Sequence, residues 1–352
     1  MKKRIALLMA VVMIVAMFAA CTPSAPTQPT QPTQPNQPTT PTTPGEEFPL
    51  VKLNLGHVQT VTHVYSAIYD DLFDDIRALT DGNLDIAHFP ASQLGSEEEQ
   101  AIANSQGTQD FWNGSCDTIG KRYAPMLAMH SPYAFKSVEH IQNFIASDLY
   151  ANWIEEAATT SNMRVVNTMY YGARHLTASK KILVPEEMAG FKLRIPMAPA
   201  QMAFADAIGA VATPMAVSEV YLALQQRTVD GQENPVPTII AQKFYEVQPY
   251  LMLTGHINAS CPTTIANNVW LTLPENYQQI IAEQFKLAED RSFVDIIAAT
   301  EEGLEEVRSK GMDVVEVDMD AFNALGEVTI QFLAKEYGDE VLGAYADILS
   351  AE

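Results

Sequence analysis

The feature that most limits what this chain can become is one very long helical pattern, opened by Pro274, running toward Lys310 and stopped by Gly311. At about 1.5 Å per residue it predicts a helix of roughly 50 Å, longer than a single domain usually needs. Strand and helix patterns alternate upstream of it, which implies α/β layers. Leu50 to Gly56 reads as a strand, and His63 to Leu79 as a helix with Tyr65, Ile68, Leu72, Ile76 and Leu79 on one face. Leu84 to Phe89 reads as a second strand; Ser96-Glu97-Glu98-Glu99 fits a capping box that starts another helix. Gln109 to Trp112 is strand-like, and Ser137 caps a helix through Ile154. Met163 to Tyr171 and Leu176 to Ser179 read as two strands flanking Gly172-Ala173-Arg174. Met312 to Val317 is a last strand, followed by two amphipathic helices.

The first 47 residues belong to no such layer. Lys2, Lys3 and Arg4 precede a short apolar run, Ile5 to Met17, and Phe18-Ala19-Ala20-Cys21 ends in small residues and a cysteine. That is the layout of a secretory signal whose cysteine resembles a lipoprotein box, with Cys21 the lipidated residue. The run is shorter than the roughly 20 residues of a spanning helix; the rival reading is an uncleaved N-terminal anchor. Residues 22–47 are Thr, Pro and Gln in low complexity. Repeated proline fixes φ and removes N–H donors, so this segment cannot join a helix or a sheet. In polyproline II, at about 3.1 Å per residue, it is a disordered, semi-rigid tether of up to roughly 80 Å. A lipid at Cys21 and a spacer of this length place the folded part outside the cytoplasmic membrane, held to its outer face in the periplasm or the cell-wall space.

Formal charge is −22, and −25 once the three cations Lys2, Lys3 and Arg4 are removed. This excludes nucleic acid and direct docking on anionic lipid as partners. It does not exclude an anionic solute, because charge beyond about 8 Å is screened at physiological salt. Besides Cys21 there are only Cys116 and Cys261, read either as one bridge or as two buried thiols. No GxSxG elbow, HExxH or GxGxxG occurs. Gly114 to Lys121 has five residues between its glycines where a phosphate loop needs four, and Arg122 stands where that loop carries Ser or Thr. The seven histidines include no i,i+4 pair. No cofactor or metal is expected, and the chain is not read as an enzyme.

Six blocks in order carry a different chemistry. They are Leu55-Gly56-His57, Phe89 to Gly95 (FPASQLG), Gly107 to Phe111, Tyr171 to Arg174 (YGAR), Gly190 to Asn234, and Tyr245 to His256. Residues from about 50 to 275 resemble the substrate-binding proteins of tripartite ATP-independent periplasmic (TRAP) transporters. The resemblance implies a two-domain α/β fold of the periplasmic-binding-protein (Venus flytrap) kind, with a cleft between domains and a long C-terminal helix spanning both. It implies that Arg194 clamps a solute carboxylate, that Asn234 adds a neutral donor, and that Arg174 supplies a second cation. An arginine fork suits this, since it binds carboxylate bidentately and keeps its charge. His57, Trp112 and Asn113 are expected on the opposite wall; Phe111 and Trp112 alternate sides of one strand, so only one of them faces the cleft. Tyr171 is read either as cleft wall or as a packing residue. Val217 stands where better-known sugar-acid binders of that family often carry Phe, which argues against a sialic-acid-like solute.

The resulting expectation is domain I from 48–171 plus 260–298 and domain II from 172–259 plus 299–352, with crossings near Tyr171 and Ala259. The function expected is a lipoprotein that captures an organic acid and delivers it to a TRAP-type, ion-gradient-driven permease. The alternative keeps the fold and makes the chain a sensor subunit for a membrane histidine kinase. An extracellular enzyme is the remaining reading, and it lacks a nucleophile or metal constellation.

Overall fold

The computed structural model describes residues 48–351; the signal segment, Cys21 and the tether lie outside them. The chain opens with β1 (Val51–Gly56), α1 (Val64–Leu79), β2 (Leu84–Phe89), α2 (Glu97–Ser105), β3 (Phe111–Asn113) and α3 (Cys116–Gly120). A 3₁₀ turn, Ala124–His130, leads to α4 (Val138–Ile145), α5 (Asp148–Ser161) and β4 (Met163–Ala178). Then come β5 (Lys192–Ile195), α6 (Pro199–Ala207), β6 (Val211–Pro214), α7 (Val217–Gln225), β7 (Gly231–Pro235) and α8 (Val236–Ala241). β8 (Tyr250–Ala266), α9 (Asn267–Trp270), α10 (Glu275–Ser309), β9 (Asp313–Val315), α11 (Met319–Asn323), α12 (Leu325–Tyr337) and α13 (Glu340–Ser350) complete it.

All nine described strands join one sheet in the order β2-β1-β3-β8-β4-β7-β5-β6, with β9 also on β8. β1 pairs in parallel with β2 and β3, and β5 in parallel with β6 and β7. Between these two parallel groups run β4 and β8, antiparallel to each other along their whole lengths. The sequence reading splits β4 into two strands at Gly172, whereas the chain passes straight through. Gly172 pairs with Ala259, takes φ +109° and sits at a register shift, so the glycine is absorbed as a bulge rather than ending the strand. A Cβ there would come within 3.1 Å of Pro235 Cβ.

Buried side chains form one large cluster and two smaller ones. The first gathers Leu55, Tyr69, Phe111, Trp112 and Phe285; the second, Leu193, Ile195, Phe204 and Met252; the third, Val220, Val236, Phe244 and Val307. The helix α10 joins two of these clusters: Tyr277, Ile281 and Phe285 enter the first and Val307 the third. The sequence reading assigns 299–352 to domain II. Within that span Val307, Val315 and Phe322 join the smaller clusters, while Ile330, Leu333, Val341, Ala344 and Ile348 join the first.

Local signals set most helix starts. Ser96 and Glu99 form the expected capping box, and His63 caps α1. The helix expected from Ser137 through Ile154 is two, because Ser147 accepts from Tyr150 N and begins α5 with a cap of its own. Leu79, expected on the buried face of α1, is 42% exposed in the last turn. Cys116 and Cys261 are both free and buried. No helix of the described residues is long and apolar enough to cross a membrane.

Candidate functional site

Strand ends and the loops after them meet at a cleft with two adjoining recesses, of about 510 and 560 Å³, which share Val58, Glu97, Arg194, Pro196 and Val217. One wall comes from the first cluster's side: Val58 and Gln59 after β1, Glu97 at the start of α2, Asn113 ending β3, and Ser115. The other comes from β5, α7, β4 and β7 through Arg194, Val217, Tyr171, Arg174 and Asn234.

Arg194 is the third residue of β5 and is 2% exposed. Its Nε and Nη2 donate to the Met215 carbonyl at 3.2 and 2.7 Å. A carbonyl carries no charge, and no carboxylate of the described residues is in ion-pair contact with this guanidinium. Burial, with some help from Arg174, lowers its pKa to about 10, against a partial opposing pull from Glu233. It therefore stays cationic at neutral pH while its charge is only partly balanced, and the rest of its fork is available to an anion.

Arg174 is in the opposite condition. Its Nε and Nη2 bond the two Glu233 carboxylate oxygens at 2.5 and 2.7 Å, and Nη2 also donates to the Glu233 carbonyl at 2.9 Å. Burial alone would weaken the charge, but the facing carboxylate raises the arginine pKa instead. Glu233 is fully buried. Burial pushes its carboxyl up, yet Arg174 and His256 outweigh that and hold it at about 2. His256 Nε2 lies 3.1 Å from Glu233 Oε2 and its Nδ1 2.8 Å from Thr254 Oγ1. A carboxylate only accepts, so Nε2 carries the proton, and Nδ1 accepts from the threonine. The sequence reading gives Arg174 to the solute; here its charge already has a partner, supplied by a glutamate next to Asn234.

Of the other predicted positions, Asn234, Tyr171, Asn113 and Val217 line the cleft. Asn234 accepts from Arg174 Nη2 at 3.1 Å and donates to Gln232 Oε1 at 2.6 Å, so part of its donor capacity is spent within the protein. The Tyr171 hydroxyl accepts from Thr238 at 2.7 Å, and its ring meets the Arg174 guanidinium at 5.9 Å. Asn113 Nδ2 donates to the Cys261 and Pro262 carbonyls.

His57 and Trp112 do not line it. His57 is fully buried, with Nε2 2.8 Å from His88 Nε2, Nδ1 accepting from Gln59 N at 3.1 Å, and its ring stacked on Tyr69. Trp112 lies over Gly114, where a Cβ would come within 2.1 Å of the indole, and it is fully enclosed in the first cluster. The wall residues in their place, Val58 and Gln59, stand one and two positions past His57, in the loop after β1, where strand alternation no longer sets which way a side chain faces. Glu97 was legible only as a helix-start acid. Its Oε1 accepts from Ser115 N at 2.9 Å, which ties α2 to the loop after β3.

The geometry is that of a binding protein with a ligand cleft between two α/β bodies. Residues 55–338 match the family described as bacterial extracellular solute-binding protein, family 7. The chain belongs to that family, the solute-binding proteins of TRAP transporters, and has their two-domain fold. Over 270 residues it is 31% identical to the sialic acid-binding periplasmic protein of Vibrio cholerae, spanning 77% of this chain and 83% of that one. A solute-binding protein of Roseobacter denitrificans is 31% identical over 273 residues, 77% of this chain and 83% of that one. Among solved structures, a TRAP periplasmic solute-binding protein from Polaromonas bound to D-erythronate superimposes with a TM-score of 0.79 at 28% identity, covering 85% of this chain and 98% of the other.

Proposed function

We propose that this chain is an extracytoplasmic receptor that captures an organic acid on Arg194 and delivers it to a TRAP-type permease. The observation that carries the reading is the contrast between the two buried arginines: Arg174 is matched by Glu233, whereas Arg194 has only the Met215 carbonyl. A buried cation without a counter-charge selects an anion over a neutral isostere, because only the anion relieves the uncompensated charge. Asn234 adds a neutral contact beside it, and Val217 leaves the adjoining apolar wall shallow. The D-erythronate in the Polaromonas protein supports a carboxylate as the anion.

The two bodies close on the solute about crossings at 171/172 and 259/260, the paired positions where β4 and β8 shift register. Cys21 carries the lipid and residues 22–47 the tether, which keep the receptor beside its permease. The chain turns over no substrate and needs no cofactor. A thermal-shift screen of the full-length protein against C4 to C6 organic acids and their neutral amides tests the reading. A solute at about 100 times its Kd adds roughly 2.7 kcal/mol. A shift for an acid without one for its amide is the expected result; equal shifts would remove the clamp.

A further inference from the structure

A row of hydrogen-bonded groups leads from solvent to the wall of the cleft. Asp70 of α1 is 67% exposed, and its Oδ1 lies 2.7 Å from His88 Nδ1. His88 Nε2 lies 2.8 Å from His57 Nε2, and His57 Nδ1 accepts from the backbone N–H of Gln59 at 3.1 Å. Gln59 and its neighbour Val58 line the recess that holds Arg194. The Gln59 carbonyl in turn accepts from Ala91 N at 2.7 Å. Ser92, which lines the adjoining recess, donates its N–H to the His57 carbonyl at 3.1 Å. Ala91 and Ser92 take φ +54° and +59°. Left-handed backbone is costly for residues with a Cβ, so these bonds hold the loops in a conformation they would otherwise leave.

The row holds a fixed number of protons. The Gln59 N–H needs a bare His57 Nδ1, the bond between the two imidazoles needs one proton, and the Asp70 carboxylate needs a proton on His88 Nδ1. Two protons on the four ring nitrogens satisfy every contact, with both rings neutral. A third proton breaks one: between the rings it sets N–H against N–H, and on His57 Nδ1 it faces the Gln59 N–H. We propose that His57, His88 and Asp70 form a proton-sensing relay, in which uptake of one solvent proton at His88 breaks this chain of bonds and frees the cleft loops after β1 and β2.

The surroundings leave the added charge to the outer ring. Burial, His88 and His63 hold His57 well below the ordinary imidazole range, and burial holds His63 at about 3. His88, 10% exposed and beside a carboxylate, is where a proton from solvent enters. Tyr69, whose ring meets both imidazoles, is bonded to Thr263, and burial keeps it a neutral phenol. Asp71 is paired with Arg291, and Asp85 with Arg77. Histidine is the side chain that changes charge between about pH 5 and 8, a range in which a carboxylic acid stays ionised. Capture is therefore tighter at neutral than at mildly acidic pH. That consequence rests on the receptor reading of the cleft; the relay itself does not.

Hydrogen–deuterium exchange on the full-length protein without solute tests the relay. After correction for intrinsic rates, peptides spanning 57–62 and 90–95 exchange at least about fivefold faster at about pH 5.5 than at about pH 7.5. His88→Gln keeps an oxygen to accept the His57 Nε2–H but does not titrate, so both peptides keep their neutral-pH protection in acid. Side-chain nitrogen-15 spectra of the wild type at neutral pH show His57 protonated at Nε2 and His88 at Nδ1. Equal pH responses in the wild type and His88→Gln overturn the relay, and so does a His57 protonated at Nδ1; both leave the Arg194 clamp standing. An acid screen without a thermal shift removes the clamp and leaves the exchange result untouched.

Discussion

The Asp117 carboxylate accepts the backbone N–H of Ala200 at 2.9 Å, joining α3 to the first turn of α6 across 83 residues of chain. Ala200 is the second residue of α6, whose own N-cap, Ala198, offers no side-chain bond. The helix is thus capped by a residue of another element, α3. Asp117 is held for this by His130, whose Nδ1 lies 2.8 Å from Oδ2 and whose Nε2 donates to the Ser260 carbonyl at 2.7 Å. Both ring nitrogens face acceptors, so the imidazole is doubly protonated. Beside this contact Lys121 Nζ, paired with Glu98 at 2.5 Å, donates to the Met197 carbonyl at 2.9 Å.

If closure of the cleft makes the Asp117–Ala200 bond, breaking it weakens the solute as well as the fold. Asp117→Ala is expected to cost about 3–5 kcal/mol of stability, because it leaves the buried His130 imidazolium without its partner as well as removing the cap, and to raise Kd three- to tenfold. Paired Tm and Kd measurements check this. A lower Tm with unchanged Kd would assign the contact to stability alone.

Arg194→Ala should cost at least about 2 kcal/mol of binding, roughly thirtyfold in Kd, from the charge-assisted pair it removes. Arg194→Lys should recover only part of that, since a point charge cannot replace a planar fork. Full affinity in the lysine variant would show that the grip is not bidentate.

Glu233→Gln leaves the Arg174 charge buried without a counter-ion. Removing one partner of a buried pair costs about 3–5 kcal/mol, so chemical denaturation should show a loss of that size. A change below about 1 kcal/mol, the scale of an exposed pair, would mean that the Arg174–Glu233 contact is not formed in solution.

Stability should peak near pH 6–7. Burial lowers His63 and His175 to about 3, so below their unfolded value of roughly 6.5 only the unfolded chain takes up those protons, and stability falls with pH. Glu233, held at about 2, contributes stability that is present above its unfolded value and is lost as pH falls toward 2. On the alkaline side, burial opposes the charge on His130 but its partners raise its pKa. Its contribution is complete below roughly 6.5 and declines as pH rises toward the raised value. Scanning calorimetry from pH 4 to 10 reads both limbs, and His63→Gln should flatten the acid one.

Cys21→Ser should release the protein from membranes to the soluble fraction of expressing cells. Retention in the membrane fraction would instead mark residues 5–17 as an uncleaved anchor.

What the amino-acid order determined alone was chiefly local. The capping box at Ser96 and the α10 helix, 35 residues from Glu275 to Ser309, needed no distant partner to be legible. Their causes, a side chain three residues from a backbone N–H or a repeat of 3.6, act within one segment. The block from Gly190 to Asn234 likewise pointed to Arg194 and Asn234, and both reach the cleft. Tertiary structure decided whatever depended on which face of a strand meets which neighbour. It buried His57 on His88 and Trp112 over Gly114, brought Gln59 and Gln201 to the cleft, and carried β4 through Gly172 because β8 was there to pair with it. It also separated two arginines that read alike, matching Arg174 to Glu233 and leaving Arg194 without a carboxylate. Whether a buried charge is free depends on partners drawn from segments far apart along the chain, and no spacing along one segment encodes that.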